Sequence, residues 1–323
     1  RFCSKMESEL DALTESLGGA LQVDQNSLGE HPRFSQFKNA AKASEQQARR
    51  RVEALDRQRS AREDKLDRIR KIVEIEEEEE NDSMTSEETR RLYDGALMTS
   101  EWLIDIPDEL THSWMSVMIP VGKRSLVVAN RGVTKVYNKG GRLLRSVDTR
   151  LPGGGRGGPG RAKGHSCMLD CIVNLDKLQF FILDVIQWND MTFYESPFDL
   201  RRFYLNSRME ENMQLSHTTA KSRATFHVLP SCVATPESIS TMMNTSVDFT
   251  VDGVLFYHPE VLYTPGQSPL VGWLKPWMLP EILNVTVPEK FFSAAPSSAR
   301  KYIEQFNAAN NFTSQVKKSQ MAE

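Results

Sequence analysis

The chain has 323 residues, 39% of them hydrophobic and 26% charged, with 40 Lys or Arg against 43 Asp or Glu. That composition is ordinary for a globular protein with a sizeable core, in one large domain or two, and it excludes a wholly disordered chain. No run of about 18 apolar residues occurs and the first residues lack the apolar centre of a signal peptide, so neither a membrane partner nor secretion is expected.

In chain order, residues 1–30 form the first segment. From Met6 to Val23, Leu10, Leu13, Leu17 and Leu21 recur at intervals of three and four, one stripe of a short amphipathic helix. Such a helix is marginal alone, so the stripe either waits for a groove on a partner or packs on the chain's own core. Residues 31–73 are basic: between Arg33 and Lys71 stand 13 Lys or Arg and 6 Asp or Glu. Ser44 with Gln47 three residues later is a capping-box pattern, and no Gly or Pro interrupts the run from Glu45 to Ile75, which predicts one helix about 45 Å long. Its few apolar residues cannot build a core. Its arginines suit an acidic concave partner, and a solvated helix or nonspecific RNA contact are the other readings. Residues 74–91 open with the acidic run Glu74 to Asp82 and read as an extended linker.

The folded part is expected over residues 92–288. Met118 to Asn130 reads as a strand pair or hairpin bent at Gly122, Lys123 and Arg124, and Gly132 to Tyr137 as the next strand. Leu151 to Gly164 reads as a mobile Gly/Arg loop. Cys167 to Val173 and Gln179 to Trp188 predict a hairpin, Phe193 to Met213 a helix, Phe226 to Pro230 a strand, and Pro236 to Met243 a helix capped by Thr235. Val254 to Tyr257 predicts a buried strand. After a turn, Trp273, Lys275 and Trp277 alternate, which on a strand sets them on one face, where aromatics and a cation suit a flat anionic ligand. The bland reading of the tryptophans is core. Residues 289–323 are polar and read as a helix with a loose tail. The four cysteines have no framework or metal-ligand spacing, so no metal, cofactor or disulfide is expected.

The arm HPRFSQFK followed by ARRRVEALDRQRSAREDKLDRIRK looks like an importin-β-binding segment. With SEWLIDIP, PVGKRSLVVANRG, FILDVIQW, VDGVLFYH and PLVGWLKPWM it closely resembles the snurportin family of nuclear import adaptors. The resemblance implies an α+β fold with mixed, mainly antiparallel sheets, similar to the nucleotidyltransferase domain of RNA capping enzymes, behind a long basic helix. It implies a shuttling protein of cytoplasm and nucleus with three partners: trimethylguanosine-capped small nuclear RNA in spliceosomal ribonucleoproteins, importin-β, and a leucine-signal exportin. By resemblance the cap meets Trp273 first, then Ser100, Trp102 and Leu103, with Gly122, Lys123, Arg124 and Lys139 toward the phosphates. Importin-β meets Arg33, Phe34, Phe37, Lys38, Arg49, Arg50, Arg51, Arg57, Arg59, Arg62, Lys65, Arg68 and Arg70. The exportin meets Met6, Leu10, Leu13, Leu17 and Leu21. On this reading, replacing Arg49, Arg50 and Arg51 by Ala abolishes carrier binding and leaves cap affinity alone.

No catalytic residue is expected. The capping-enzyme motif KxDGxR falls on Ile119, Pro120, Val121, Gly122, Lys123 and Arg124, so an isoleucine stands where the attacking lysine belongs. The rival readings are a degenerate capping guanylyltransferase and an importin-β adaptor for a protein cargo.

Overall fold

The computed structural model describes residues 40–60, 70–71, 86–155, 165–189, 191–218, 222–293 and 295–306. The chain clusters into two units, Ala41–Pro288 and a second made of Arg1–Ala40 with Glu289–Glu323. The described part of the second holds a 3₁₀ turn at Glu289–Phe291 and a helix over residues 299–306.

In chain order the elements are α1 (Ala40–Ser60), α2 (Ser86–Tyr93), β1 (Met98–Trp102), α3 (Leu110–Ser113), β2 (Met115–Pro120), β3 (Lys123–Asn130), β4 (Val133–Asn138) and β5 (Leu143–Val147). There follow β6 (Cys167–Asn174), β7 (Gln179–Trp188), β8 (Met191–Thr192), α4 (Phe198–Glu211), β9 (Thr225–Val228) and β10 (Ser231–Val233). The last are α5 (Pro236–Asn244), β11 (Val251–Tyr257), β12 (Gly266–Leu274) and α6 (Leu279–Leu283).

The strands form two sheets, in the orders β1-β12-β11-β2-β10 and β5-β4-β3-β6-β7-β8, with β9 added to β7. All pairs are antiparallel except β1 with β12 and β7 with β9. This is the α+β, mainly antiparallel class that the family resemblance implies. The first core joins the sheets, with Val117, Ile119, Leu255, Tyr257 and Val271 on one side and Leu126, Val128, Met168, Leu183 and Ile186 on the other. The second core lies under the opposite face of the second sheet, where Val127, Leu169, Cys171, Ile182 and Val185 meet Leu205 and Met209 of α4. A sheet covered on both faces needs near-continuous apolar strands, which is why CMLDCIV and QFFILDVIQW show no alternation.

Five expectations change, the first at the end of the expected linker, where residues 86–91 belong to helix α2 rather than to an extended segment. β2 and β3 are not a hairpin, because β2 pairs with β11 and β10 while β3 pairs with β4 and β6. Val121 and Gly122 carry the chain from one sheet to the other, and a Cβ on Gly122 would stand 2.6 Å from Ile172 Cγ2. The start of the glycine loop is packed rather than mobile: Leu151, Gly153 and Gly154 are buried. Gly153 has φ +72°, and a Cβ on Gly154 would meet Thr149 Oγ1 at 2.3 Å, so glycine serves close approach here. Residues 156–164 lie outside the described residues. β12 ends at Leu274, before Pro276, which cannot donate to a ladder, and Pro276–Met278 forms a 3₁₀ turn. The strand alternation that would align Trp277 with Trp273 therefore stops. Finally, α1 starts at Ala40, ahead of Ser44, because Ala40–Ala43 are strong helix formers. The predicted continuation of α1 past Ser60 falls mostly outside the described residues, of which 70–71 are helical.

Candidate functional site

The site is built where β1 and β12 run parallel, with Trp102 registered on Trp273. Their indole centroids stand 5.9 Å apart, with the rings tilted by 44°. Trp273 also faces Leu255 on β11, and its six-membered ring leans over Gly253 on that strand. A Cβ on Gly253 would lie 2.4 Å from Trp273 Cζ3 and 2.5 Å from the Leu274 carbonyl oxygen, so the indole seat exists because position 253 has no side chain. Gly253 is registered on Ile119, which points the indole toward the end of the sheet where the chain crosses to β3. Lys275, just past the strand, brings Nζ to 5.6 Å from the Trp273 ring centroid and 3.0 Å from Asp252 Oδ1. The result is a half-buried indole pair with an ammonium and a carboxylate at its edge. Such a face stacks a flat base, more strongly a cationic one.

Gly253→Ala is expected to displace Trp273, because neither the β11 backbone nor Leu274 can retreat by the amount required. The measurement is a shift in tryptophan emission that disappears when the same change is made on a Trp273→Phe background. An unchanged emission spectrum would contradict this seating.

The other sequence-derived positions fall as follows. Ser100 is half-buried in mid-β1, registered on Ser268. Leu103 is fully buried: its N–H donates to Trp273 O at 3.2 Å, and a Cβ on Gly272 would stand 2.9 Å from its Cδ1. It therefore supports Trp273 from beneath. Gly122 and Lys123 are exposed at the crossover. Lys139 is exposed on the turn after β4, whose backbone is tied to the start of the β1 segment by Gly95 N donating to Lys139 O at 3.0 Å. Arg124 is committed elsewhere. Its Nε and Nη2 donate to Asp170 at 3.0 and 2.7 Å, and Tyr263 Oη donates to the same carboxylate at 2.8 Å. Burial alone would lower the Arg124 pKa, but the Asp170 charge and hydrogen bonds hold it above its ordinary value. Ile119, at the position of the capping-enzyme lysine, is buried in the first core and offers no amine.

The basic helix does not stand apart from this site. Gln47 is 2% exposed and Arg51 is 6% exposed. Arg51 Nη1 donates to Asp105 Oδ2 at 2.9 Å, its Nη2 to Asp105 O at 2.6 Å, and its guanidinium lies 5.5 Å from the Trp114 ring. Burial pushes the Arg51 pKa down, and Asp105 opposes the shift. Arg50 pairs with Glu101, next to Trp102. Further along, Gln58 bridges Glu260 O and Leu262 N at 3.2 and 3.1 Å, and Ala54 and Leu55 pack on the first core. The outer face carries Arg49, paired with Glu53 at 3.2 Å, and Arg57, which donates to Glu53 O at 3.0 Å. Arg70 pairs with Glu195 at 2.6 Å. Arg50 and Arg51, expected only as carrier contacts, are also bonded to the globular part. The sequence had shown them only as part of a charge run. Arg33, Phe34, Phe37, Lys38, Arg62, Lys65 and Arg68, the side chain of Arg59, and the stripe Met6, Leu10, Leu13, Leu17 and Leu21 lie outside the described residues.

Sequence reasoning missed Gln47 and Gly253. The Asp-Gly ahead of an apolar run was a signal for Gly253, and Gln47 was marked only as the capping-box partner of Ser44, a position that lies inside α1. Among the described residues no helix is long and apolar enough to cross a membrane.

Comparison with known proteins gives two family matches. A profile described as the Snurportin1 m3G cap-binding domain matches residues 96–276, and one described as Snurportin1 matches residues 31–71. Among solved structures, the ligase domain of M. tuberculosis LigD is 15% identical with a TM-score of 0.38, the match covering 56% of this chain and 59% of that one. The Chlorella virus DNA ligase-adenylate is 10% identical with a TM-score of 0.33, covering 56% of this chain and 68% of that one.

Proposed function

This chain belongs to the snurportin family, and we propose that it is a non-enzymatic adaptor that carries trimethylguanosine-capped small nuclear RNA, within spliceosomal ribonucleoproteins, into the nucleus on importin-β. An exportin then recycles it through the leucine stripe of residues 6–21, so the protein shuttles between cytoplasm and nucleus.

The observation that carries the reading is the Trp102–Trp273 pair inside the segment matched by the cap-binding profile. Methylation of the guanine imidazole ring makes the base a delocalised cation, which an indole face attracts through stacking and cation–π terms. Trp273 is the stacking platform. Trp102, tilted beside it, offers apolar contact to the two methyls on the exocyclic amine, where a carboxylate waiting for amine hydrogens would be left unpaired. Exposed Lys123 and Lys139 suit phosphate oxygens as mobile cations, whereas Arg124 would first have to leave Asp170. A covalent nucleotidyl mechanism has no support here, since Ile119 stands at the nucleophile position.

A bridging assay tests the adaptor reading. Beads bearing trimethyl-capped RNA are expected to retain importin-β only when this chain is added. The outward variant Arg49→Ala/Arg57→Ala should weaken that retention by about tenfold or more, because charge-assisted contacts contribute about 1.5–3 kcal/mol each. Retention of the chain without importin-β would point to a cap receptor with another carrier. Importin-β capture without any cap dependence would point to a protein cargo.

A further inference from the structure

We infer that Gln47, on the basic helix rather than in the cap-binding segment, is a positioning residue of the cap pocket, so that cap binding and capture of the helix by a carrier oppose one another. The inference rests on the cap reading of Trp102 and Trp273 given above.

The geometry is that of a brace. Leaving β1, the chain runs Glu101-Trp102-Leu103-Ile104-Asp105, and this segment holds one indole of the pair. A single carboxamide ties it down: Gln47 Nε2 donates to Trp102 O at 2.7 Å and to Glu101 Oε2 at 3.1 Å, while Gln47 Oε1 accepts from Ile104 N at 3.1 Å and Asp105 N at 2.9 Å. Arg51, one turn on, donates to the same Oε1 at 3.2 Å and clamps Asp105 at both its carboxylate and its carbonyl oxygen. The Trp102 carbonyl, which also accepts from Ile104 N at 3.0 Å, and the amides of Ile104 and Asp105 thus each have a side-chain partner on another element. Among the described residues β1 is also an edge strand, paired with β12 alone, with a register shift between Ser100 and Glu101. The wall needs an outside support, and α1 supplies it.

Two states follow from this placement. With α1 docked, the segment that carries Trp102 is fixed and the pocket is pre-formed. With α1 withdrawn into a carrier, the Gln47 and Arg51 bonds break together, while the β12 pairing and the Ile104 N to Trp102 O bond remain. A ligand that needs the ordered wall favours the docked helix. By linkage, a carrier that needs the Gln47–Arg51 face weakens the cap by the same factor by which the cap weakens the carrier. Arg49 and Arg57, on the outer face, remain open to a first encounter while the inner face is still docked.

The test uses the full chain and trimethylated cap dinucleotide. Gln47→Ala is expected to weaken dinucleotide binding about three- to tenfold with the same signal at saturation, and Val52→Ser, on the exposed outer face, is expected to match wild type. A purely structural role for Gln47 would not move the second readout. In wild type, saturating dinucleotide should slow amide hydrogen exchange across residues 45–58, and in Gln47→Ala it should not. Equal affinities of wild type and Gln47→Ala, with helix exchange indifferent to the dinucleotide, would overturn the inference while leaving the cap reading intact. Failure of wild type to bind the dinucleotide at all would overturn the cap reading and this inference with it.

Discussion

Trp273→Ala is expected to lower affinity for trimethylated cap dinucleotide by between about tenfold and several thousandfold, with the fold unchanged. Stacking on an aromatic side chain contributes about 1–3 kcal/mol per base, a cation over an indole adds about 0.5–2 kcal/mol, and each 1.4 kcal/mol is a factor of ten. The substitution should be structurally mild, because Trp273 is only half-buried and packs at the margin of the first core. Titration calorimetry of wild type and variant measures the loss, and far-ultraviolet circular dichroism checks the fold. An affinity within threefold of wild type would mean that the base sits elsewhere and that the indole pair is structural.

The second large effect is on stability. Arg201 on α4 is fully buried and forms a bidentate pair with Asp184 on β7, both contacts at 2.8 Å. It also donates to the carbonyls of Ser196 and Val261, and it lies against the rings of Phe198 and Tyr263. This one side chain therefore ties the second sheet, the start of α4 and the segment after β11 together. Arg201→Ala leaves the Asp184 carboxylate buried without its counter-charge, a change that typically destabilises by about 3–5 kcal/mol. That is a large fraction of the roughly 5–15 kcal/mol available to a folded domain. Arg91→Ala, which breaks an exposed i,i+4 pair with Glu87, is the control and is expected to stay within about 0.5 kcal/mol of wild type. Urea unfolding of the three proteins provides the comparison, and similar midpoints for Arg201→Ala and wild type would contradict this account of the core.

What could be read from the sequence, and what could not, follows from how far apart the interacting residues lie. Thr235 was legible as a helix cap because cap and helix are neighbours, and its Oγ1 does accept from Ser238 N at 3.1 Å. The β6–β7 hairpin was legible because two apolar runs flank a short polar turn, and Leu178 in that turn takes φ +53°. The β2–β3 crossover was not, since two strands separated by Val121 and Gly122 look like a hairpin unless their partners are known, and β11 lies some 130 residues away. Gly154 read as loop because glycine-rich sequence carries no record of the Thr134 and Thr149 side chains that crowd it. At the site, the indoles and the crossover lysine were legible as residue types, while the Arg124–Asp170 pair was not. The docking face of α1 was hidden most completely: Gln47, Arg51, Ala54, Leu55 and Gln58 share one side of the helix, yet a stripe with only two apolar members does not register as a buried face.

The most direct test of the central claim is a tryptophan-quenching titration of the full chain with trimethylated and with monomethylated cap dinucleotide, side by side. The account predicts saturable quenching by the trimethylated ligand at a concentration at least tenfold lower than the monomethylated one requires. Indistinguishable titrations, or no quenching by either, would contradict a trimethylguanosine-cap receptor built on Trp102 and Trp273.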